Sequence, residues 1–239
     1  MTTFKDLGVH GNYIKALKEL QIKVPTEIQE KTIPVLLKTK TDYIGLAQTG
    51  TGKTAAYGLP ILNSIDTNSA VVQALILSPT RELVQQIKKQ LFKFTKFNEE
   101  KIFVEAVYGG EKIDKQMQRL QRPTHIIVAT PGRLIDLIEK GNVNLRSIKT
   151  VVLDEADEML SMGFKQELDA ILNYTSGSRN TWLFSATMPE EILRIISKYM
   201  EPSAVKVSVN KESLVNANIS HQYLITSIKE KTTVVSQLL

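Results

Sequence analysis

Lys53 and Thr54 close the run Ala47, Gln48, Thr49, Gly50, Thr51, Gly52, Lys53, Thr54, and Asp154 stands beside Glu155 directly after the apolar run 150–153. The first run fits the phosphate-loop pattern G-x-x-x-x-G-K-[ST] at every position but its first, where Ala47 replaces glycine. Glycines at 50 and 52 let backbone N–H groups turn inward around phosphate oxygens, and a helix starting at Lys53 adds the partial positive charge of its N-terminus. Lys53 can reach the β- and γ-phosphates of a nucleotide, and the Thr54 hydroxyl can bind Mg2+. Such an ion wants a carboxylate as well as phosphates. Asp154 is placed to hold it, and Glu155, one residue on, can polarise a water for attack on the γ-phosphate. Each cluster alone has a plainer reading: a glycine-rich strand-to-helix turn with a chance lysine, and a strand end with solvated acids. Together in one chain they favour a nucleoside triphosphatase with Lys53, Asp154 and Glu155 as its catalytic set.

Residues so far apart in sequence need a scaffold that gathers strand ends. Short apolar runs recur at 43–47, 74–78, 103–108, 125–130, 150–153, 182–185 and 204–209, several dominated by Val and Ile and most with little alternation. That is how strands buried on both faces read. Helix candidates at 53–64, 132–139, 163–172 and 190–199 lie between them, and Leu83, Ile87, Leu91 and Phe94 form one helical stripe. Alternating strand and helix predicts an α/β fold, a mostly parallel sheet with helices on both faces and right-handed crossovers. Ligands in such folds collect at the C-terminal ends of strands. After residue 209 the texture changes: 210–218 is polar and reads as a linker, 221–226 as one more strand and 229–239 as one more helix, the start of a further domain.

The 239 residues are 42% hydrophobic and 23% charged, enough for a large core and ordinary for a folded chain. A net charge of +5 suits a polyanionic partner, weakly. The absence of cysteine excludes disulfides and cysteine metal sites, and His10, His125 and His221 are too scattered to form another. The first ten residues lack the apolar core of a signal peptide, and no apolar run approaches the ~20 residues that span a bilayer. A cytoplasmic protein with no membrane partner is expected. Lys88, Lys89, Lys93 and Lys96 interleave with Phe92, Phe94 and Phe97, but helical spacing puts Phe94 in the core and the lysines on a solvated face.

Residues 154–157 spell Asp-Glu-Ala-Asp, and here the chain resembles the DEAD-box helicases. Pro79-Thr80-Arg81-Glu82-Leu83, Gly109-Gly110, Thr130-Pro131-Gly132-Arg133-Leu134 and Ser185-Ala186-Thr187 are similar to further motifs of that family, in family order. Pro25-Thr26-Glu27-Ile28-Gln29 is similar to its Q motif, with Phe4 as the isolated upstream aromatic. The resemblance implies a RecA-like P-loop domain over 1–209, with the Q-motif region at 1–40, and a truncated second RecA-like domain starting near 219. It implies ATP and Mg2+ as cofactors, with Phe4, Ile22, Thr26 and Gln29 joining residues 47–54 around the nucleotide. A glutamine amide carries both donor and acceptor, so Gln29 can pair with one edge of adenine and favour ATP over GTP. Ile22 stands where the family often places an aromatic, Gln21 where many relatives carry Gly, and Glu27 where many carry Pro.

The same resemblance implies RNA as partner, held mainly by its backbone through Pro79, Thr80, Arg81, Gly109, Gly110, Thr130, Gly132 and Arg133, with Asp157, Ser185 and Thr187 coupling the nucleotide to domain closure. Plainer readings stand beside these: Thr-Pro-Gly is also a helix-start turn, and Ser185 and Thr187 can cap a helix near Pro189. The implied activity is RNA-stimulated ATP hydrolysis coupled to local duplex unwinding or remodelling of RNA–protein complexes. The family's second domain supplies arginines to the transferring phosphoryl group, so this length of chain alone is expected to bind nucleotide and to be nearly inactive. The competing expectation is a nucleotide-gated RNA-binding module whose turnover is incidental.

Overall fold

Short runs of Val, Ile and Leu without polar alternation bury both faces of a strand, and seven strands assemble here into one parallel sheet, with the edge strand Val205–Val209 alternating half-buried Val with exposed Lys206 and Ser208. In the computed structural model, which describes residues 2–175, 177, 179–209 and 223–238, the strands are β1 (Tyr43–Ala47), β2 (Ala74–Leu77), β3 (Val104–Val107), β4 (Ile126–Ala129), β5 (Thr150–Asp154), β6 (Asn180–Ser185) and β7 (Val205–Val209). Their spatial order is β3-β4-β2-β5-β6-β1-β7. The chain divides into two compact units, Met1–Val209 and Asn210–Leu239, and the sheet lies wholly in the first.

Helices cover both faces. Helices α1 (Gly11–Glu19), α2 (Glu27–Lys38), α3 (Lys53–Ser64) and α4 (Arg81–Phe94) pack on one side, where Tyr13, Ile33, Tyr57 and Leu91 join a core built on Tyr43, Ile76 and Phe184. On the other, α6 (Pro131–Glu139), α7 (Ala156–Ser161), α8 (Lys165–Tyr174) and α9 (Glu190–Tyr199) bury Leu134, Met159, Leu168 and Ile192 against Leu75, Val151 and Leu183. Helix α5 (Ile113–Leu120) joins the second side through Ile113, Met117 and Leu120. Alternate residues of β1 to β6 feed the two cores, as Tyr43 and Ile44 do, while β7 lends Val205 and Val207 to the first alone.

Two local expectations need correction. The buried stripe of α4 is Val84, Ile87, Leu91 and Phe94. Leu83 is only half-buried, because at ~100° per residue it lies on the flank of that stripe and Val84 takes the core side. The strand expected at 221–226 does not form over 223–226, where Tyr223, Leu224 and Ile225 are exposed. A strand exists only by hydrogen bonding to a neighbour. The expected helix nearby is present as α10 (Lys231–Leu238). The expected linker at 210–218, with residues 221 and 222, lies outside the described residues.

Candidate nucleotide site

Strand order brings the two chemical clusters together. β6 alone separates β1 from β5, so the loop after β1 and the acids after β5 project from the same sheet edge about 10 Å apart. The loop turns into α3 at Gly52, whose φ of +92° is left-handed and strained for any residue with a side chain. Gln48, Thr49 and Gly50 are exposed at its tip, and Thr51 Oγ1 braces it by donating to the Gln48 carbonyl at 2.7 Å. Lys53, the first residue of α3, is buried, and its Nζ donates to the Ala47 carbonyl across the loop at 3.1 Å. Thr54 follows, half-buried.

Across from the loop, Asp154 ends β5 and is buried. Its Oδ2 accepts from Tyr57 Oη of α3 at 2.9 Å, while its Oδ1 has no hydrogen-bond partner among the described residues. Burial pushes the Asp154 carboxyl up to about 6, although Lys53 and the Tyr57 hydroxyl pull it down. Burial and the Asp154 charge push the Tyr57 phenol well above its ordinary value. Glu155 sits at φ +53°, a left-handed non-glycine residue, and its Oε1 accepts from Thr49 Oγ1 at 3.2 Å. The loop and the acid pair are therefore in direct contact. Strained backbone of this kind costs ~1–3 kcal/mol and concentrates where geometry serves function.

These groups suit a magnesium-bound triphosphate. The loop offers backbone amides at a helix start, Lys53 a cation, and Asp154 a buried carboxylate oxygen left unsatisfied, which is costly unless a ligand takes it. Among the described residues no three His, Cys, Asp or Glu cluster to hold a metal. Any cation here would draw most of its ligands from phosphate oxygens and water, as magnesium does.

The Q-motif residues reach the loop directly. Gln29 is 3% exposed; its Oε1 accepts from Thr26 N and its Nε2 donates to the Gly52 carbonyl, each at 3.0 Å. Thr26 Oγ1 donates to the Thr51 carbonyl at 2.8 Å. A primary amide has two N–H donors and two acceptor lone pairs, so one of each remains for a base edge. A Cβ at Gly52 would come within 2.4 Å of Gln29 Nε2, so glycine there also makes room for the glutamine. Phe4, 3% exposed, is packed in the first core, and Ile22 packs half-buried against the same cluster. Neither Phe4 nor Ile22 offers a free ring to stack on a base. Gln21 has φ +61°, a backbone state that glycine adopts without strain.

Most of the remaining motif residues lie at the same ends of β2, β3 and β4, some exposed and some buried beneath them. Arg81 begins α4 exposed, beside exposed Gly110: a Cβ on Gly110 would meet Arg81 Nη1 at 3.3 Å. Gly109 is exposed as well, whereas Pro79 and Thr130 are buried, and Thr80 accepts from Leu83 N as the cap of α4. Gly132 lies half-buried in the first turn of α6. Arg133 is mostly buried, and its Nη1 donates to the Glu111 carbonyl at 2.9 Å. It ties the loop after β3 to α6, a structural contact that sequence spacing did not reveal. Beyond β6, Thr187 donates to Asp157 Oδ2 from its N–H at 2.9 Å and its hydroxyl at 2.7 Å, while Ser185 Oγ donates to the Thr187 carbonyl. Burial raises the Asp157 carboxyl, but these donors more than offset it and hold it below its ordinary value.

A family model for the DEAD/DEAH box helicases matches residues 26–195, which include the phosphate loop, the acid pair and the Ser185–Thr187 segment. The chain belongs to the DEAD/DEAH box helicase family. It is 46% identical over 240 residues to the DEAD-box ATP-dependent RNA helicase CshA of Geobacillus kaustophilus, covering 100% of this chain and 50% of that protein. A DEAD box protein from the hyperthermophile Methanococcus jannaschii superposes with a TM-score of 0.83 at 35% identity, covering 100% of this chain and 63% of that one. A hypothetical ATP-dependent RNA helicase from Sulfolobus tokodaii gives a TM-score of 0.75 at 37% identity, over 83% of this chain and 56% of its own. As a DEAD/DEAH box domain the sheet is RecA-like, the strand between β1 and β5 included. The chain spans about half the length of the curated relatives it matches. Among the described residues no helix is long and apolar enough to cross a membrane.

Proposed function

We propose that this chain is the ATP-binding half of an ATP-dependent RNA helicase. The observation that carries the proposal is the meeting of loop and acids: Lys53 at the helix start, Asp154 with one oxygen unsatisfied, and Glu155 touching Thr49. Residues 47–54 would hold the phosphates, with Thr54 and Asp154 as the residues that would hold Mg2+, an ion that neutralises charge on the β- and γ-phosphates when bound. Gln29 and Thr26, tied to Gly52 and Thr51, would set adenine preference. Glu155 is suited to accept a proton from an attacking water, since its carboxylate faces the loop at a strand end.

RNA would lie along Arg81, Gly109 and Gly110, with Pro79, Thr80, Thr130, Gly132 and Arg133 shaping that surface. Backbone contact of this sort is salt-sensitive and largely independent of sequence. Asp157, Ser185 and Thr187 bridge the α7 and β6 ends and are suited to couple the two surfaces. Residues 210–218 as linker and 219–239 as the start of a second RecA-like domain belong to the same proposal, as does a cytoplasmic setting. Charge from an arginine of another domain accelerates phosphoryl transfer by ~10³–10⁵; without it this chain binds nucleotide and turns it over slowly.

The test is calorimetry with ATP and magnesium, beside steady-state hydrolysis with and without RNA, on the chain and on its Glu155→Gln variant. Binding that persists in Glu155→Gln while the residual hydrolysis disappears is the expected result. Absence of any nucleotide binding by the chain defeats the proposal. Hydrolysis unchanged in Glu155→Gln removes the assigned base and leaves a nucleotide-gated binding module as the better reading.

A further inference from the structure

Tyr57 lies outside every motif that marks the site, yet its hydroxyl makes the only side-chain hydrogen bond to Asp154 found among the described residues. Three strands build the floor beneath it. Their register aligns Gly45 of β1 with Phe184 of β6, and Phe184 with Asp154 of β5, in one row. A Cβ on Gly45 would come within 2.7 Å of the Phe184 ring, so glycine there lets that ring lie flat against β1. Tyr57 packs on Phe184 with ring centroids 5.2 Å apart. Its phenol, fully buried, thereby spans the strand between and reaches Asp154 Oδ2 at 2.9 Å. Tyr57 is also three residues from Thr54, one turn along the same face of α3.

We infer that Tyr57 is the positioning residue for the metal-facing carboxylate: by occupying Asp154 Oδ2 it turns Oδ1, the oxygen without a partner, toward the cation. A carboxylate has two equivalent oxygens and a χ2 torsion that is broad. In a buried site without a donor on one side, that freedom would blur the ion's position. A donor fixed by ring packing removes it, as partners behind metal ligands commonly do, and losing such a partner typically costs ~10–100-fold in metal affinity. This rests on the proposed assignment of Asp154 as a magnesium-holding residue, and the two can fail separately.

The experiment is calorimetry of ADP with the 239-residue chain, with magnesium and with EDTA, for wild type, Tyr57→Phe, Asp154→Asn and the double variant. Tyr57→Phe keeps the ring on Phe184, and a thermal melt checks its fold. The expected result is an EDTA-state affinity that is unchanged, with the gain from magnesium reduced about tenfold. In the Asp154→Asn background Tyr57→Phe should then remove nothing more, which separates positioning from general packing. A full magnesium gain in Tyr57→Phe overturns the inference. So does an equal loss in both the magnesium and EDTA arms, which makes Tyr57 a support of α3. If Tyr57→Phe does not fold, manganese resonance spectra of wild type against Gly45→Ala decide: an unchanged ion environment in folded Gly45→Ala overturns the inference, and a broadened one supports it. Wild-type chain whose ADP affinity ignores magnesium overturns instead the assignment of Asp154, and with it the role given to Tyr57.

Discussion

A carboxyl held near 6 by burial is neutral over part of the range in which most carboxylates are charged, and Asp154 is such a group. The sign follows from its two states. Its folded value lies above the ordinary 3.8, so the folded chain prefers the protonated form. Without metal, Asp154 therefore contributes stability that is present at acid pH and is lost as pH rises through about 6. The protonated form cannot hold a cation, so ion and proton compete for it. The magnesium-dependent gain in ADP affinity should weaken as pH falls below about 6, approaching tenfold per unit. Asp154→Asn should show a small gain that varies only as the nucleotide's own terminal phosphate titrates, at about 6. Calorimetry at stepped pH checks this, and a wild-type gain constant from pH 7 to about 5 removes Asp154 from the metal site. That Lys53, Asp154 and Glu155 sit at strand ends was legible in the sequence, because each directly follows or opens an element that its apolar run marks. Tyr57 was not, since nothing in an apolar helix marks which tyrosine will find a carboxylate across an intervening strand.

Elements were legible in proportion to how strongly their pattern departs from its neighbours. β1, α3 and α9 have the bounds that their apolar spacing implies, and each other strand is recovered to within a residue or two. Helix α2 was hidden by Pro34 in its interior, which reads as a breaker. Helix α5 was hidden because its one fully buried side chain is Gln116, which pairs with both backbone groups of Tyr108. Helix α7 has only six residues, too short to show a period. Between α1 and α2 the chain turns through Gln21 at φ +61°, where a side chain costs ~1–2 kcal/mol. Gln21→Gly removes that strain and adds back about half of it through the extra freedom of unfolded glycine. The variant should gain ~0.5–1 kcal/mol, raising the melting temperature by roughly 1–4 °C for a unit of this size. A melt that falls on substitution shows that the Gln21 side chain holds contacts worth more than its strain.

At the scale of the whole molecule, the described residues of both hydrophobic cores all lie before the end of β7. The first draws its residues from between Phe4 and Val207, and the second from between Ile44 and Ala204. The last strand of the sheet, β7, is paired along its full length to β1, ending at Ala47 with Val209. Every residue placed around the phosphates also lies within Met1–Val209, a unit by itself. A chain ending at Val209 should therefore keep the sheet, the melt and the ADP affinity of the longer one. Surface changes away from such features usually stay within about 0.5 kcal/mol, so the melting temperature should shift by no more than ~2 °C. Parallel melts and calorimetry of the two lengths measure it. A fall beyond ~5 °C would mean that residues 210–239 bear on the first unit's stability, and an ADP affinity lost with an intact melt would place part of the nucleotide site after Val209. An unchanged melt and affinity would make Met1–Val209 by itself the unit in which the phosphate loop, the acid pair and Gln29 are held.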